Sequence, residues 1–275
     1  MFKDKFGPWG LIIGGSEGIG RSLAMNLAAQ GLNIALVARK RPALEEAAAA
    51  IRGASKVEVR TLSQDMTAPD AMDAICAFTS DIDVGLLVYN AGAMDRITTF
   101  LGDRLEGHLH TLRLNCEGPT RMCHHFGGRM RDRQRGGIVL MSSVSGLAGS
   151  YGVPIYGATK AFDMILGEGL WYEFKDFGVS VLTAVLGSVR TPSHERLFGG
   201  HVPEGGANPD NVAQEVLDNL ENGPTLFVST IKPMLAMLRD EDRRTAVSQL
   251  GEASKVFFAQ GVNRTPYRTP SNAGG

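Results

Sequence analysis

The sequence predicts an α/β fold: a doubly wound parallel sheet with helices on both faces and an extra helical segment near its C-terminal end. Short runs that are apolar throughout, instead of alternating, are what a sheet covered on both faces requires. These runs alternate with longer stretches of helical periodicity, the order of a β-α-β chain. The first run, 9–13, breaks at Gly14-Gly15 directly before a helical pattern, as strand-to-helix turns in such sheets do.

Taken in order, the strand at 9–13 leads into a helix over 19–30, with Ile19, Leu23, Leu27 and Ala28 on one face and Gly31 as its stop. A second strand, 33–38, is followed by an alanine- and glutamate-rich helix over 41–52. The pattern continues with a strand at 57–62, a helix at 69–79 and a strand at 84–89, closed by Asn90-Ala91-Gly92. One long helix is expected over 106–131, then a strand at 137–141, a second long helix over 156–178 and a strand at 179–185. A last helix and strand fall at 209–222 and 225–229. Beyond them, 232–258 reads as one or two amphipathic helices outside the sheet, with Leu235, Leu238, Val247, Leu250 and Phe257 as apolar contacts. The Pro/Gly/Ser/Asn-rich stretch 261–275 reads as a mobile tail, so residues 1–260 form one Rossmann-like domain with a helical extension.

Composition narrows the function classes. At 275 residues and 43% apolar, the chain can bury a large core. A net charge of −1 gives no general reason to bind nucleic acid or an anionic membrane. No apolar stretch approaches the length of a membrane span, and charged residues occupy the start, where a signal peptide needs an apolar run. Cys76, Cys116 and Cys123 lack metal-ligand spacing, and adjacent His124 and His125 point about 100° apart on a helix, so no metal site is expected. A reduced, cytoplasmic setting follows.

Gly14, Gly18 and Gly20 stand in a G-x-x-x-G-x-G arrangement between strand and helix. Such glycines make a tight turn, let backbone approach a pyrophosphate and let the helix pack on the sheet, while the helix N-terminus favours the phosphates. The second strand ends in Ala38-Arg39-Lys40. A carboxylate near this point suits the ribose of NAD, whereas cations suit the 2′-phosphate of NADP. Cations at a helix start oppose the helix dipole, and a nearby anion would account for them. NADP(H) is therefore expected over NAD(H).

Tyr156 and Lys160 lie four residues apart on one helical face. A tyrosine is too weak a base at neutral pH unless an adjacent ammonium favours its phenolate. Ser142-Ser143 end a strand, where α/β sheets place ligands, and Asn115 interrupts a helical pattern that it could bend or hydrate.

Together these segments resemble the short-chain dehydrogenase/reductases over about 9–229: Gly14-Gly15-Ser16-Glu17-Gly18-Ile19-Gly20, Asn90-Ala91-Gly92, Asn115, Ser143 and Tyr156-Gly157-Ala158-Thr159-Lys160, in the family's order. The resemblance implies that Tyr156 is the general acid/base and that Ser143 hydrogen-bonds the reacting oxygen. It implies that Lys160 binds the nicotinamide ribose and favours the phenolate, and that Asn115 holds a water linking Lys160 to solvent. It places the glycine-motif residues (Gly14, Ser16, Glu17, Gly18, Ile19, Gly20) and Arg39 and Lys40 on the cofactor. Asp65 and Met66 match the position that contacts adenine; Asn90, Ala91 and Gly92 line the cofactor; Val189 and Thr191 face its carboxamide. The implied activity is carbonyl–alcohol interconversion on a small molecule, in a homodimer or homotetramer paired through the two long helices; Leu197 and Phe198, in the stretch 192–208 where the family carries its substrate loop, point to a lipophilic substrate. An epimerase or dehydratase on the same fold, or an NADP(H) sensor without turnover, are the alternatives. Ile13, Tyr89 and Leu186 depart from the family pattern, which usually has Thr, Asn and Pro there.

Overall fold

The computed structural model describes residues 2–92, 94, 96–198, 200, 206–238 and 241–259, with only the backbone of 236–238. The chain opens with a short helix, α1 (Phe2–Phe6), then runs β1 (Trp9–Ile13), α2 (Gly18–Ala29), β2 (Asn33–Ala38), α3 (Arg41–Ala54), β3 (Val59–Ser63), α4 (Ala71–Phe78) and β4 (Val84–Tyr89). Next come α5 (Leu105–Leu112), α6 (Gly118–Asp132), β5 (Gly136–Ser143), α7 (Pro154–Phe174) and β6 (Val179–Leu186). The chain continues with α8 (Pro192–Leu197), α9 (Pro209–Asp218), β7 (Thr225–Phe227), α10 (Lys232–Leu238) and α11 (Arg243–Ala259).

All the strands pair in parallel, in the order β3-β2-β1-β4-β5-β6-β7. This is the doubly wound architecture expected. Winding reverses between β1 and β4, so the C-terminal ends of these two strands form the crevice where such sheets bind ligands. β1 shows why its sequence is apolar throughout. Ile12 packs with Leu23, Leu27 and Val216 on one face, whereas Leu11 and Ile13 pack with Met122, Phe126 and Ile138 on the other. Each such fully buried side chain contributes about 1.5–3 kcal/mol, so both layers hold the central strand in register.

Four local features differ from the sequence expectation. First, the long helix over 106–131 is broken into α5 and α6 by a π-helical turn at Arg113–Glu117. Tyr89 sits under this turn, and its buried hydroxyl donates to the Leu114 carbonyl at 2.6 Å. Gly118 makes the approach feasible, because a Cβ there would collide with the Tyr89 hydroxyl. The aromatic residue that departs from the family pattern is thus a clamp on the turn that carries Asn115.

Second, α1 occupies the charged N-terminal stretch. Phe6 is buried, and Gly85 and Gly137 leave the room that its backbone and ring need. Arg135 fastens it by donating to the Gly7 carbonyl at 2.7 Å while pairing with Asp83 at 2.6 Å. Third, a helix, α8, forms where the sequence pattern gives none, capped by Thr191, whose hydroxyl accepts from the His194 N–H at 3.2 Å. Fourth, in α11 the buried contacts are Ala246, Leu250 and Phe258, whereas Val247 is 39% exposed and is not a core contact. The side chain of Leu238 and the stretch 261–275 lie outside the described residues.

Replacing Tyr89 by Phe removes the only partner that the clamp supplies to a buried carbonyl. Urea unfolding of Tyr89→Phe is expected to show a loss of about 1–3 kcal/mol. A loss below about 0.5 kcal/mol would show that the clamp carries little of the fold's stability.

Candidate active site

At the end of β1 the chain must turn sharply without filling the crevice. Gly14 takes φ +85°, and a Cβ there would run into the backbone of Ala91. Gly20 lies against the Gly14 carbonyl, so even one methyl would push α2 away from the sheet. The family's usual threonine hydroxyl is absent at Ile13, but the backbone does its bracing. The Ile13 carbonyl accepts from the N–H groups of Asn90 and Ala91 at 2.9 and 2.8 Å, and Asn90 Nδ2 donates to the Gly14 carbonyl at 2.9 Å.

The turn opens onto a cavity of about 770 Å³. Gly14, Ser16, Glu17, Gly18, Ile19, Arg39, Lys40, Met66, Asn90, Ala91, Gly92, Ser143, Tyr156, Lys160, Val189 and Thr191 all line it. Gly20, Asp65 and Asn115 do not: Gly20 is a packing position, Asn115 is buried behind Gly92, and Asp65 is partly exposed. Asp65 accepts from the N–H and hydroxyl of Thr67 at 2.9 and 2.8 Å and lies 3.9 Å from Arg39. Burial pushes its carboxyl up, but these hydrogen bonds and Arg39 outweigh that and hold it below the usual range. Its neighbour Gln64, which nothing in the sequence pattern marked, lines the cavity instead.

Two helix starts face this space in a way that suits an anion. Neither α2 nor α3 has a side-chain cap or an acidic residue in its first turn, so the N–H groups there, apart from Pro42, which has none, are left for a ligand. Arg39 and Lys40 sit at the α3 start. The cradle therefore fits a phosphate-bearing dinucleotide.

Deeper in, β5 and α7 are fastened together: Ser142 Oγ donates to the Lys160 carbonyl at 2.6 Å, and Lys160 Nζ donates to the Met141 carbonyl at 2.8 Å. Lys160 is 4% exposed and forms an ion pair with Asp163, itself 3% exposed, at 2.9 Å. Burial pulls the ammonium's pKa down, yet the charges of Asp163 and Tyr156 outweigh it and hold Lys160 above the usual lysine range. Asp163 is pushed up by burial more than Lys160 pulls it down.

Tyr156 is half-buried, with Lys160 Nζ 5.7 Å from its ring centre. Thr159 ties the cluster together, donating to the Tyr156 carbonyl at 2.8 Å and accepting from Asn115 Nδ2 at 3.0 Å. Asn115 Oδ1 is buried without a hydrogen-bond partner among the described residues, which is costly unless water or ligand meets it. Gly92, at φ +135°, lies so close to Asn115 Oδ1 and Lys160 Nζ that a Cβ would press on both. Ser143 Oγ caps the next turn, accepting from the Ser145 N–H at 3.2 Å, and keeps its own proton to donate.

The outer wall is apolar and comes from α11 and from the segments after β4 and β6. Phe198 and Phe258 pack with Met94, Ile97, Phe257 and Tyr156. His194 sits edge-on to Phe198, and burial lowers its pKa, so the imidazole there is neutral. Arg196 of α8 reaches across to Glu17 of the glycine turn, donating from both terminal nitrogens, one at 3.0 Å. At the end of β6, Leu186 in place of the family's proline leads into a loop held by a bridge from Val189 to Ala207.

A profile of the short chain dehydrogenase family matches residues 9–200. A 7beta-hydroxysteroid dehydrogenase of Clostridium sardiniense is 34% identical over 194 residues, 70% of this chain and 73% of that protein. A bovine (Bos taurus) very-long-chain 3-oxoacyl-CoA reductase is 34% identical over 181 residues, 64% of this chain and 57% of that protein. Among solved structures, one determined in work on 7beta-hydroxysteroid dehydrogenase stereoselectivity superposes with a TM-score of 0.84 at 25% identity, covering 90% of this chain and 98% of that one. A short-chain dehydrogenase from Sphingobium yanoikuyae in complex with NADPH gives 0.75 at 27% identity, covering 95% and 98%. The chain belongs to the short-chain dehydrogenase/reductase family and is an oxidoreductase acting on CH–OH or C=O groups.

Proposed function

We propose that this protein interconverts a carbonyl and a secondary alcohol using NADP(H), with Tyr156 as the general acid/base. The observation that carries the reading is convergence: Ser143, Tyr156 and Lys160 line the same cavity as the glycine turn and the uncapped start of α2. When bound, the nicotinamide supplies or accepts the hydride. In the reducing direction the Tyr156 hydroxyl gives its proton to the substrate oxygen, and the Ser143 hydroxyl donates a hydrogen bond to that oxygen as charge develops on it. Lys160 offers an N–H to the ribose and stabilises the phenolate that Tyr156 leaves behind. Asn115 Oδ1, buried and unpartnered, would hold the water that returns the proton. Arg39 and Lys40, at the start of α3, would meet the 2′-phosphate that marks NADP.

The substrate is proposed to be lipophilic, because Met94, Phe257 and Phe258 wall the cavity beside Tyr156. The relatives named for hydroxysteroids and very long acyl chains agree with that class. A homodimer or homotetramer is proposed from the exposed apolar side chains of α5 and α7, including Leu105, Leu109, Phe162 and Ile165. The three cysteines are free thiols, and no described helix is long and apolar enough to cross a membrane; both accord with a cytoplasmic enzyme. An NADP(H) sensor would need no acid/base set, so the Ser143, Tyr156 and Lys160 constellation favours turnover.

Two substitutions test this reading. Tyr156→Phe is expected to cut turnover of a bulky ketone by about 10²- to 10⁴-fold while NADPH binding, read by its fluorescence, stays close to that of the parent. Turnover near the parent's would remove Tyr156 from the chemistry. Arg39→Asp replaces a cation with an anion and should raise the KM for NADPH by about ten- to a hundredfold, with NADH far less affected. An equal change for both cofactors would place the 2′-phosphate elsewhere.

A further inference from the structure

We propose that Asp163 is a positioning residue for this reaction: its buried carboxylate is the fixed counter-ion that keeps Lys160 charged and anchored on the Met141 carbonyl. The inference rests on the assignment of Tyr156 and Lys160 to catalysis. Nothing in the sequence pattern marked Asp163.

Three residues apart on α7, the two side chains share a face and run together into the junction with β5. Their side chains are 6% and 4% exposed, so water does little for either charge. A buried ammonium keeps its proton only where a counter-charge and acceptors meet its N–H groups. Lys160 Nζ has three donors; Asp163 Oδ2 takes one at 2.9 Å and the Met141 carbonyl another at 2.8 Å. The third is unspent among the described residues, and Gly92 and Asn115 lie on the side where a ribose or a water would come.

Other titratable groups around the pair do not compete for this role. Tyr156 faces Lys160 from the same helix and is the residue it serves. Cys116, from the π-helical turn, is driven by burial up to about 11, and Cys123, from α6, up to about 12. Tyr89, from β4, is held well above its ordinary range, again chiefly by burial. All three are neutral at physiological pH, which leaves Asp163 as the one carboxylate paired with Lys160 among the described residues. An aspartate whose only task was packing could be exchanged for an uncharged isostere without consequence for the reaction.

The test is Asp163→Asn, which keeps size and an acceptor but removes the charge. Turnover at neutral pH is expected to fall about tenfold or more, and the alkaline limb of the kcat–pH profile to move down by at least about one unit, as an unpaired buried lysine loses its proton earlier. The KM for the ketone should change little. Asp163→Glu retains the charge and should keep the parent's alkaline limb. In a Lys160→Met background, Asp163→Asn should alter turnover by less than about twofold, since the two residues act as a unit. An unshifted profile in folded Asp163→Asn, or the same loss without Lys160, overturns the proposal. Should Asp163→Asn fail to fold, NMR of ¹³C-lysine-labelled wild-type protein decides. Lys160 still protonated at about pH 10 supports the pairing, and deprotonation below about pH 9 overturns it. An inactive Tyr156→Phe beside an unshifted Asp163→Asn profile would remove the counter-ion role alone; an active Tyr156→Phe would remove the catalytic assignment beneath it.

Discussion

At the C-terminal ends of β1 and β4 the glycine turn and the Asn90-Ala91-Gly92 segment press backbone against backbone. Gly14 touches the backbone of Ala91, Gly20 lies against the Gly14 carbonyl, and the Ile13 carbonyl receives both Asn90 and Ala91 N–H groups. This contact fixes where the glycine turn ends and α2 begins. It also fixes the direction of Asn90-Ala91-Gly92, which forms the floor between the dinucleotide cradle and the Lys160 cluster. The hydroxyl usual at position 13 is dispensable because main-chain hydrogen bonds already close the gap.

From that floor the site is built by burial. α7 is stitched to β5 by Ser142 and Lys160, the π-helical turn is clamped by Tyr89, and Thr159 joins Asn115 to the Tyr156 backbone. All but the Thr159–Tyr156 bond are fully buried, so they are worth more than exposed counterparts and costly to leave unmade. The same dryness gives Lys160 and Asp163 their mutual dependence. The outer wall is different in kind: Phe198, directly after α8, packs with Phe257 and Phe258 of α11, and both helices lie outside the sheet.

How much of this was legible in the sequence follows from the range of the interactions involved. Strands such as β1 and β4 declared themselves because burial on both faces demands an unbroken apolar run. The glycine turn stood out by its place between a strand and a helix, whereas Tyr156 and Lys160 stood out only through the resemblance to the family, since a Tyr/Lys pair four apart recurs on many helices. The break at Arg113–Glu117 was not, since it depends on Tyr89 and Gly118 meeting across the fold. Val247 was misjudged because helical periodicity gives a face but no partner for it, and α11 turns Leu250 and Phe258 inward instead. Asp163 was silent because an acid on an amphipathic helix ordinarily points to solvent; only the tertiary packing buries it. Gln64 escaped notice because a single polar residue after a strand carries no pattern.

The proposed reaction moves hydride between a nicotinamide and a carbonyl carbon in this cavity. Its most direct measurement is incubation of the protein with NADPH deuterated at the transferable C4 position and a bulky lipophilic ketone, followed by mass spectrometry of the alcohol. One deuterium at the carbinol carbon, in a single stereochemical sense, is the result expected. Cofactor that binds but never transfers its label to any ketone or aldehyde offered would contradict it.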